Sequence, residues 1–199
     1  MTEERKKRVL RAVNIALTVI VALLVCFIVV KIFFVTWARV DQTSMSPTYE
    51  DGETVFVARL GEVERGSVVV FYDKDVAAPR IASAFGFFAG DARLLVKRVV
   101  ALEGDEIWLE PADDGYAVRV RPAGGEPAYE EYTAPSGESV TLPPLTFDTA
   151  GLLSDATRWD PYVVGEGCAF VMGDNRTVSQ DSRVFGDVPL TRMVGTVMG

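Results

Sequence analysis

The chain contains no histidine, and among its 199 residues only two are cysteines, Cys26 and Cys168. Without imidazole there is no Ser-His-Asp or Cys-His nucleophile pair, no histidine-ligated zinc and no residue whose ordinary titration lies near neutrality. Two cysteines provide no disulfide framework and no thiolate zinc site. Positive charge is also scarce: 20 Lys and Arg stand against 28 Asp and Glu, a net charge of −8. A nucleic-acid partner, which needs a basic face to neutralise phosphates, is therefore not expected. Hydrolytic chemistry here must come from serine, lysine, tyrosine or carboxylates, and no metal or cofactor is expected.

Charge is unevenly distributed. Residues 1–11 carry Arg5, Lys6, Lys7, Arg8 and Arg11 against Glu3 and Glu4, a local +3, which leaves −11 on the rest. Between the basic head and the acidic remainder lies Ala12–Val30, 19 residues without a charge. As a helix this run rises about 28 Å, close to the ~30 Å of a bilayer core. Lys31 interrupts the apolar run, Ile32 to Val35 resume it, and Trp37 and Arg39 suit the interface. The run is longer than the apolar region of a cleaved leader and has no small-x-small end. The expected organisation is a basic head (1–11), a transmembrane anchor (12–37) and an outer domain (38–199). The positive-inside tendency keeps the head in the cytoplasm. Cys26, in the span, and Cys168, in the outer domain, are not expected to pair.

Residues 38–199 suffice for one domain with a real core. Short β-branched and aromatic runs predict strands at 54–58, 67–72, 94–101, 106–109, 116–120 and 168–172. Asp51-Gly52, Arg65-Gly66, Gly104-Asp105, Gly124-Gly125 and Gly173-Asp174 punctuate them. No sustained helical periodicity follows residue 40. The fold class is mainly β, an antiparallel-sheet domain behind one membrane helix. Residues 111–165, richer in Pro, Gly and acid, read as a β-rich insertion or cap with no more than a short helical turn. Residues 81–89 are apolar but too short to span, and fit either a core hairpin or a loop against the bilayer.

Two residues suggest a nucleophile and a base. Ser44 precedes the rigid Ser46-Pro47 step, which limits the turn that carries its hydroxyl. Lys97 lies inside the most apolar strand, on a face with Leu95 and Val99, while Arg98 shares the other face with Val96 and Val100. Burial disfavours the ammonium form, and a lysine base near neutrality needs its pKa lowered by about 2–3 units. Each feature alone is weak, since serine-rich turns and edge-strand lysines are common. Together, in a chain without histidine, they fit a serine activated by a neutral lysine.

The ordered motifs resemble those of bacterial type I signal peptidases, the membrane-anchored Ser-Lys proteases. Ser44-Met45-Ser46-Pro47-Thr48 is similar to the family's S-M-x-P-T, and Arg65-Gly66-Ser67-Val68-Val69-Val70-Phe71 to R-G-D-x-V-V-F. Lys97-Arg98-Val99-Val100-Ala101-Leu102-Glu103-Gly104-Asp105 follows, and Gly173-Asp174-Asn175-Arg176 through Ser179, Asp181, Ser182, Arg183 and Gly186 is close to G-D-N-R-x-x-S-x-D-S-R-x-x-G. The resemblance implies Ser44 as nucleophile, Lys97 as general base and Ser179 as the residue that orients the lysine. It implies the Ser44 N–H as one oxyanion donor and position 42 as the second. That position is often Ser or Gly but is Gln42 here. It pairs Asp174 with Arg98 and Asp181 with Arg183. Val40, Met45, Tyr49, Val55 and Val96 would line shallow pockets for Ala-x-Ala, with Tyr49 narrowing them. Ser67 and Glu103 replace the usual Asp and Pro.

The implied partners are signal peptides of exported preproteins and the lipid bilayer of a bacterial plasma membrane. Substrate pairing as an added strand against 40–43 and 94–97 is expected. The alternative is a dedicated or non-proteolytic relative that serves pilin or surface-protein assembly, and a non-proteolytic one should lack the serine or the lysine. The sequence sets neither substrate range nor oligomeric state. Ala82-Ser83-Ala84 is itself an Ala-x-Ala.

Overall fold

A computed structural model describes residues 3–40, 43–74, 93–112, 115–125, 129–130 and 145–198. The expectations for Gln42, for 81–89 and for Ala82-Ser83-Ala84 lie outside the described residues.

Helix α1 spans Glu3–Phe33, 31 residues, or about 46 Å of rise. It takes in the basic head as well as the apolar run. Its apolar side chains from Val9 to Val30 are exposed on every side. A helix apolar all round with no protein cover is suited to lipid, and it is long and apolar enough to cross a membrane. The sequence reading carried the anchor to residue 37, but the helix ends at Phe33 and Val35–Arg39 forms strand β1. The β-branched Val35 and Thr36 and the aromatic Trp37 suit a pleated edge as well as an interface. Register with β2 (Thr54–Ala58) sets Trp37 opposite Phe56 and Ala38 opposite Val55.

The larger sheet adds β3 (Val68–Tyr72), β4 (Leu94–Leu102), β9 (Cys168–Met172), β10 (Val188–Pro189) and β11 (Met193–Val197), in the order β1-β2-β11-β3-β4-β9-β10. Its neighbouring strands all pair antiparallel. The predicted strands at 54–58 and 168–172 match end for end, and the others agree to within three residues. The strands at 35–39, 129–130, 162–163, 188–189 and 193–197 were not individually foreseen.

The smaller sheet has β5 (Glu106–Ala112), β6 (Gly115–Arg121), β7 (Tyr129–Glu130) and β8 (Tyr162–Val163), in the order β7-β6-β5-β8. It begins at Glu106, five residues ahead of the expected insertion, because the long β5–β6 hairpin pairs from Glu106 to Arg121. Ile107, Val118 and Val120 from this sheet join Val100, Phe170 and Met172 from the larger one in a shared core. Leu145 and Leu153, which flank helix α2 (Phe147–Ala150) and a 3-10 turn (Gly151–Leu153), complete it.

Asp105 ties the junction between the sheets. Its carboxylate accepts from Arg65 at 2.6 and 2.7 Å and from the Leu102 and Ala123 N–H groups, both at 2.9 Å. Burial pushes this carboxyl up, but the Arg65 guanidinium and the two N–H groups outweigh it and hold it below the ordinary range. A lowered carboxyl stabilises the fold above its unfolded value and loses that contribution as the pH falls through the folded one. Asp105→Asn is therefore expected to cost about 1–3 kcal/mol near pH 7. The gap to wild type should shrink below about pH 4. Denaturant melts of the two chains in detergent, run from pH 3 to 7, check it; a gap that does not change with pH would refute the charged role.

Candidate active site

Ser44 lies in the 3-10 turn Thr43–Met45, ahead of a cis Ser46–Pro47 bond. Two contacts fasten this turn to the loop after β9. The Asn175 N–H donates to the Ser44 carbonyl at 3.0 Å, and Thr48 Oγ1 donates to Asp174 Oδ2 at 2.5 Å. Met45, fully buried, roots the turn in the core.

Lys97 stands in β4, opposite Val69 of β3. Although charged, it is only 3% exposed. Its Nζ lies 2.7 Å from Ser44 Oγ. Burial pulls the amine from 10.5 down to about 8; Asp181 opposes the shift, Arg183 assists it, and Asp174 opposes it weakly. A buried ammonium loses hydration that one hydroxyl does not replace, so the neutral form becomes accessible near neutral pH. A neutral amine in hydrogen-bond contact with a hydroxyl is the arrangement that general-base activation requires.

Two buried ion pairs brace the site, both between residues the sequence reading had coupled. Arg98 grips Asp174 through Nε at 2.9 Å and Nη2 at 2.7 Å, and its Nη1 donates to the Gly66 carbonyl at 2.7 Å. Arg183 grips Asp181 through Nε and Nη2, each at 2.8 Å. Asp181 also accepts from the Gly173 N–H at 2.9 Å. Burial pushes the Asp181 carboxyl up, but Arg183 and the Gly173 N–H prevail and keep it below the usual range. Such bidentate pairs fix orientation as well as charge. The loop they hold carries helix α3 (Ser182–Phe185), capped by the Asp181 side chain on the Arg183 N–H.

Ser179 departs from expectation. Its hydroxyl is buried and makes no hydrogen bond to Lys97; it lies near enough to the Asp181 carboxylate to help lower that group, though short of good hydrogen-bond geometry. The hydroxyl lies over Gly173 instead, 2.2 Å from where a Cβ at that glycine would stand. Of the five residues expected to line pockets, Val40, Met45, Val55 and Val96 are buried together in one apolar cluster, and Tyr49 packs against it. Tyr49 sits under opposing influences, with burial raising its phenol and Arg98 lowering it; the net direction is up.

Some contributors escaped the sequence reading. Thr48 and Gly173 stood within the quoted motifs without a role, and Asn175 acts through its backbone N–H. The signal was their fixed place beside Ser44 and Asp174, but which atoms meet is settled only by the fold.

Comparison with known proteins shows the family of the chain. The profile of the family described as signal peptidase, peptidase S26, matches residues 12–198. Signal peptidase I of Bacillus caldolyticus is 31% identical over 202 residues, covering 99% of this chain and 92% of that relative. Signal peptidase IB of Staphylococcus aureus is 33% identical over 187 residues, covering 91% and 84% respectively. A crystal structure of a signal peptidase I from Enterococcus faecalis aligns with a TM-score of 0.40 at 22% identity, over 69% of this chain and 98% of that one. From the anchor helix to the last strand, then, this chain belongs to the signal peptidase family, peptidase S26.

Proposed function

We propose that the protein is a membrane-anchored serine endopeptidase that removes signal peptides from exported preproteins, with Ser44 as nucleophile and Lys97 as general base. The 2.7 Å contact between a serine hydroxyl and a buried, easily neutralised lysine carries this reading. Ser44 Oγ attacks the scissile carbonyl while its proton passes to the neutral Lys97 amine. The ammonium so formed then protonates the leaving amine, and water repeats the sequence on the acyl-enzyme. Backbone N–H donation from Ser44, with a second donor expected from position 42 by the family resemblance, would stabilise the developing oxyanion. The apolar cluster of Val40, Met45, Tyr49, Val55 and Val96 suits small side chains such as those of Ala-x-Ala.

The basic head at 1–11 favours a cytoplasmic N-terminus in the plasma membrane, with residues 38–199 on the outer side, where signal peptides emerge. A non-proteolytic role in surface-protein assembly would give no reason to hold Ser44 and Lys97 in contact.

The test is incubation of the full chain in detergent with a preprotein bearing Ala-x-Ala. Cleavage after the second alanine is expected, read by sequencing the new terminus. kcat/KM should rise with pH to a limb near 8, because only the neutral amine accepts the serine proton, and should be about 100-fold lower at pH 6. A profile flat down to pH 5, or a cut elsewhere, would contradict the reading.

A further inference from the structure

The segment 145–153 lies within the insertion and takes no part in the chemistry above. It is rooted at both ends by Leu145 and Leu153, each at most 1% exposed. Between them the Thr146 N–H donates to Thr149 Oγ1 at 2.9 Å, and Thr149 Oγ1 donates to the Thr146 carbonyl at 3.1 Å, closing the first turn of α2. Two contacts join this segment to Arg183. Arg183 Nη1 donates to the Thr149 carbonyl at 2.7 Å. Gly151, at φ +56°, lies so close to the Arg183 backbone that a Cβ there would stand 2.3 Å from the Arg183 carbonyl oxygen. Segment 145–153 thus packs on both the guanidinium and the main chain of Arg183, whose Nη1 also donates to the Arg176 carbonyl at 2.9 Å and whose Nη2 donates to the Ser179 carbonyl at 3.3 Å, while Nε and Nη2 hold Asp181.

The charged groups that act on the Lys97 amine are Asp181, Arg183 and Asp174. Asp174 is covered by Arg98 and Thr48, and Arg176 is turned away to the Gly173 carbonyl. Whether Lys97 faces a neutralised pair or a bare carboxylate then depends on Arg183 staying against Asp181.

We propose that segment 145–153 is a positioning element for the general base: through the Thr149 carbonyl and Gly151 it helps to hold Arg183 against Asp181, and so fixes the charged pair that stands behind Lys97. The proposal rests on the Ser44–Lys97 reading. Its physics is Coulombic. When Arg183 withdraws, a cation leaves the amine and Asp181 is uncovered, and both changes favour the ammonium. The insertion thereby tunes a reaction it never touches.

The experiment is a kcat/KM–pH profile of the full chain in detergent for wild type, Gly151→Ala, Thr149→Ala and Gly124→Ala. Gly151→Ala both strains a left-handed backbone and presses on Arg183. Its acid limb is expected to move up by about one pH unit, which lowers activity ~10-fold at pH 7 and restores it above the limb. Thr149→Ala, which loses the bonds that close α2, is expected to shift the limb less and in the same direction. Gly124→Ala has nothing within 4 Å of its new methyl and should overlay wild type.

A loss uniform across pH would mark a merely structural role and overturn the proposal. If Gly151→Ala does not fold, an unshifted limb in folded Thr149→Ala overturns it. A wild type with no acid limb would instead refute Lys97 as base, and the proposal with it, so the two failures are told apart.

Discussion

Lys97→Met and Ser44→Ala are each expected to lower preprotein cleavage by about 10⁴-fold or more. Methionine keeps the length and apolar volume of lysine, so strand β4 and its neighbours Val69 and Val99 retain their packing. Only the base is removed. The proposed mechanism uses the hydroxyl and amine, 2.7 Å apart, as one unit, so the double variant should be little worse than either single one. Lys97→Arg sharpens the test. It keeps the positive charge but supplies no neutral amine at any working pH, so it should be as inactive as Lys97→Met. Cleavage rates measured by gel at pH 8 decide. Activity in Lys97→Arg within ten-fold of wild type would mean that lysine supplies charge, not a base, and the dyad would be abandoned.

Gly173→Ala should lower kcat by about 100-fold with little change in KM. A methyl there would stand 2.2 Å from Ser179 Oγ, 2.5 Å from the Ser44 carbonyl oxygen and 2.6 Å from Ser179 Cβ. One of these neighbours is backbone, and that same carbonyl is the one the Asn175 N–H holds. The strain must therefore move the nucleophile's own peptide, and a shift near 1 Å suffices to cost two orders of magnitude. The apolar cluster is not touched, so substrate affinity should survive. Adding Ser179→Ala removes the hydroxyl but leaves the Cβ and the Ser44 carbonyl in place, so it is not expected to restore the rate. Full restoration would show that only Ser179 was crowded and that Ser44 had not moved.

The meeting of Ser44 and Lys97 was legible only from several features together. A lysine in a β-branched run is common on an edge strand, and it was the missing histidine and the order of the motifs that joined it to the serine. The pairs Arg98–Asp174 and Arg183–Asp181 were legible only through the resemblance of the motifs; residue types alone do not say which carboxylate meets which guanidinium. Strand β11 was not legible. Met193-Val194-Gly195-Thr196-Val197 is short, and Gly195 reads as a breaker. Yet a Cβ at Gly195 would stand 2.2 Å from the Ala58 carbonyl, so the residue that hid the strand is the one that lets it lie between β2 and β3. Strand β1 was hidden otherwise: the apolar character of Val35 and Trp37 serves a sheet edge and a membrane interface equally. The direction of the Ser179 hydroxyl depends on side-chain placement that no pattern of residue types encodes.

Between the last residue of helix α1 and the first of strand β1 stands Phe34 alone, and that residue is tied on both sides. Its N–H donates to the Val30 carbonyl, and its own carbonyl accepts from the Arg59 N–H just after β2, at 2.9 Å in each case. Phe34 therefore works as a coupling and not as a hinge. Both of its backbone hydrogen-bonding groups are engaged, one by the last turn of the helix and one by the chain leaving β2, so a swing of the helix against the sheet must first break one of these two bonds.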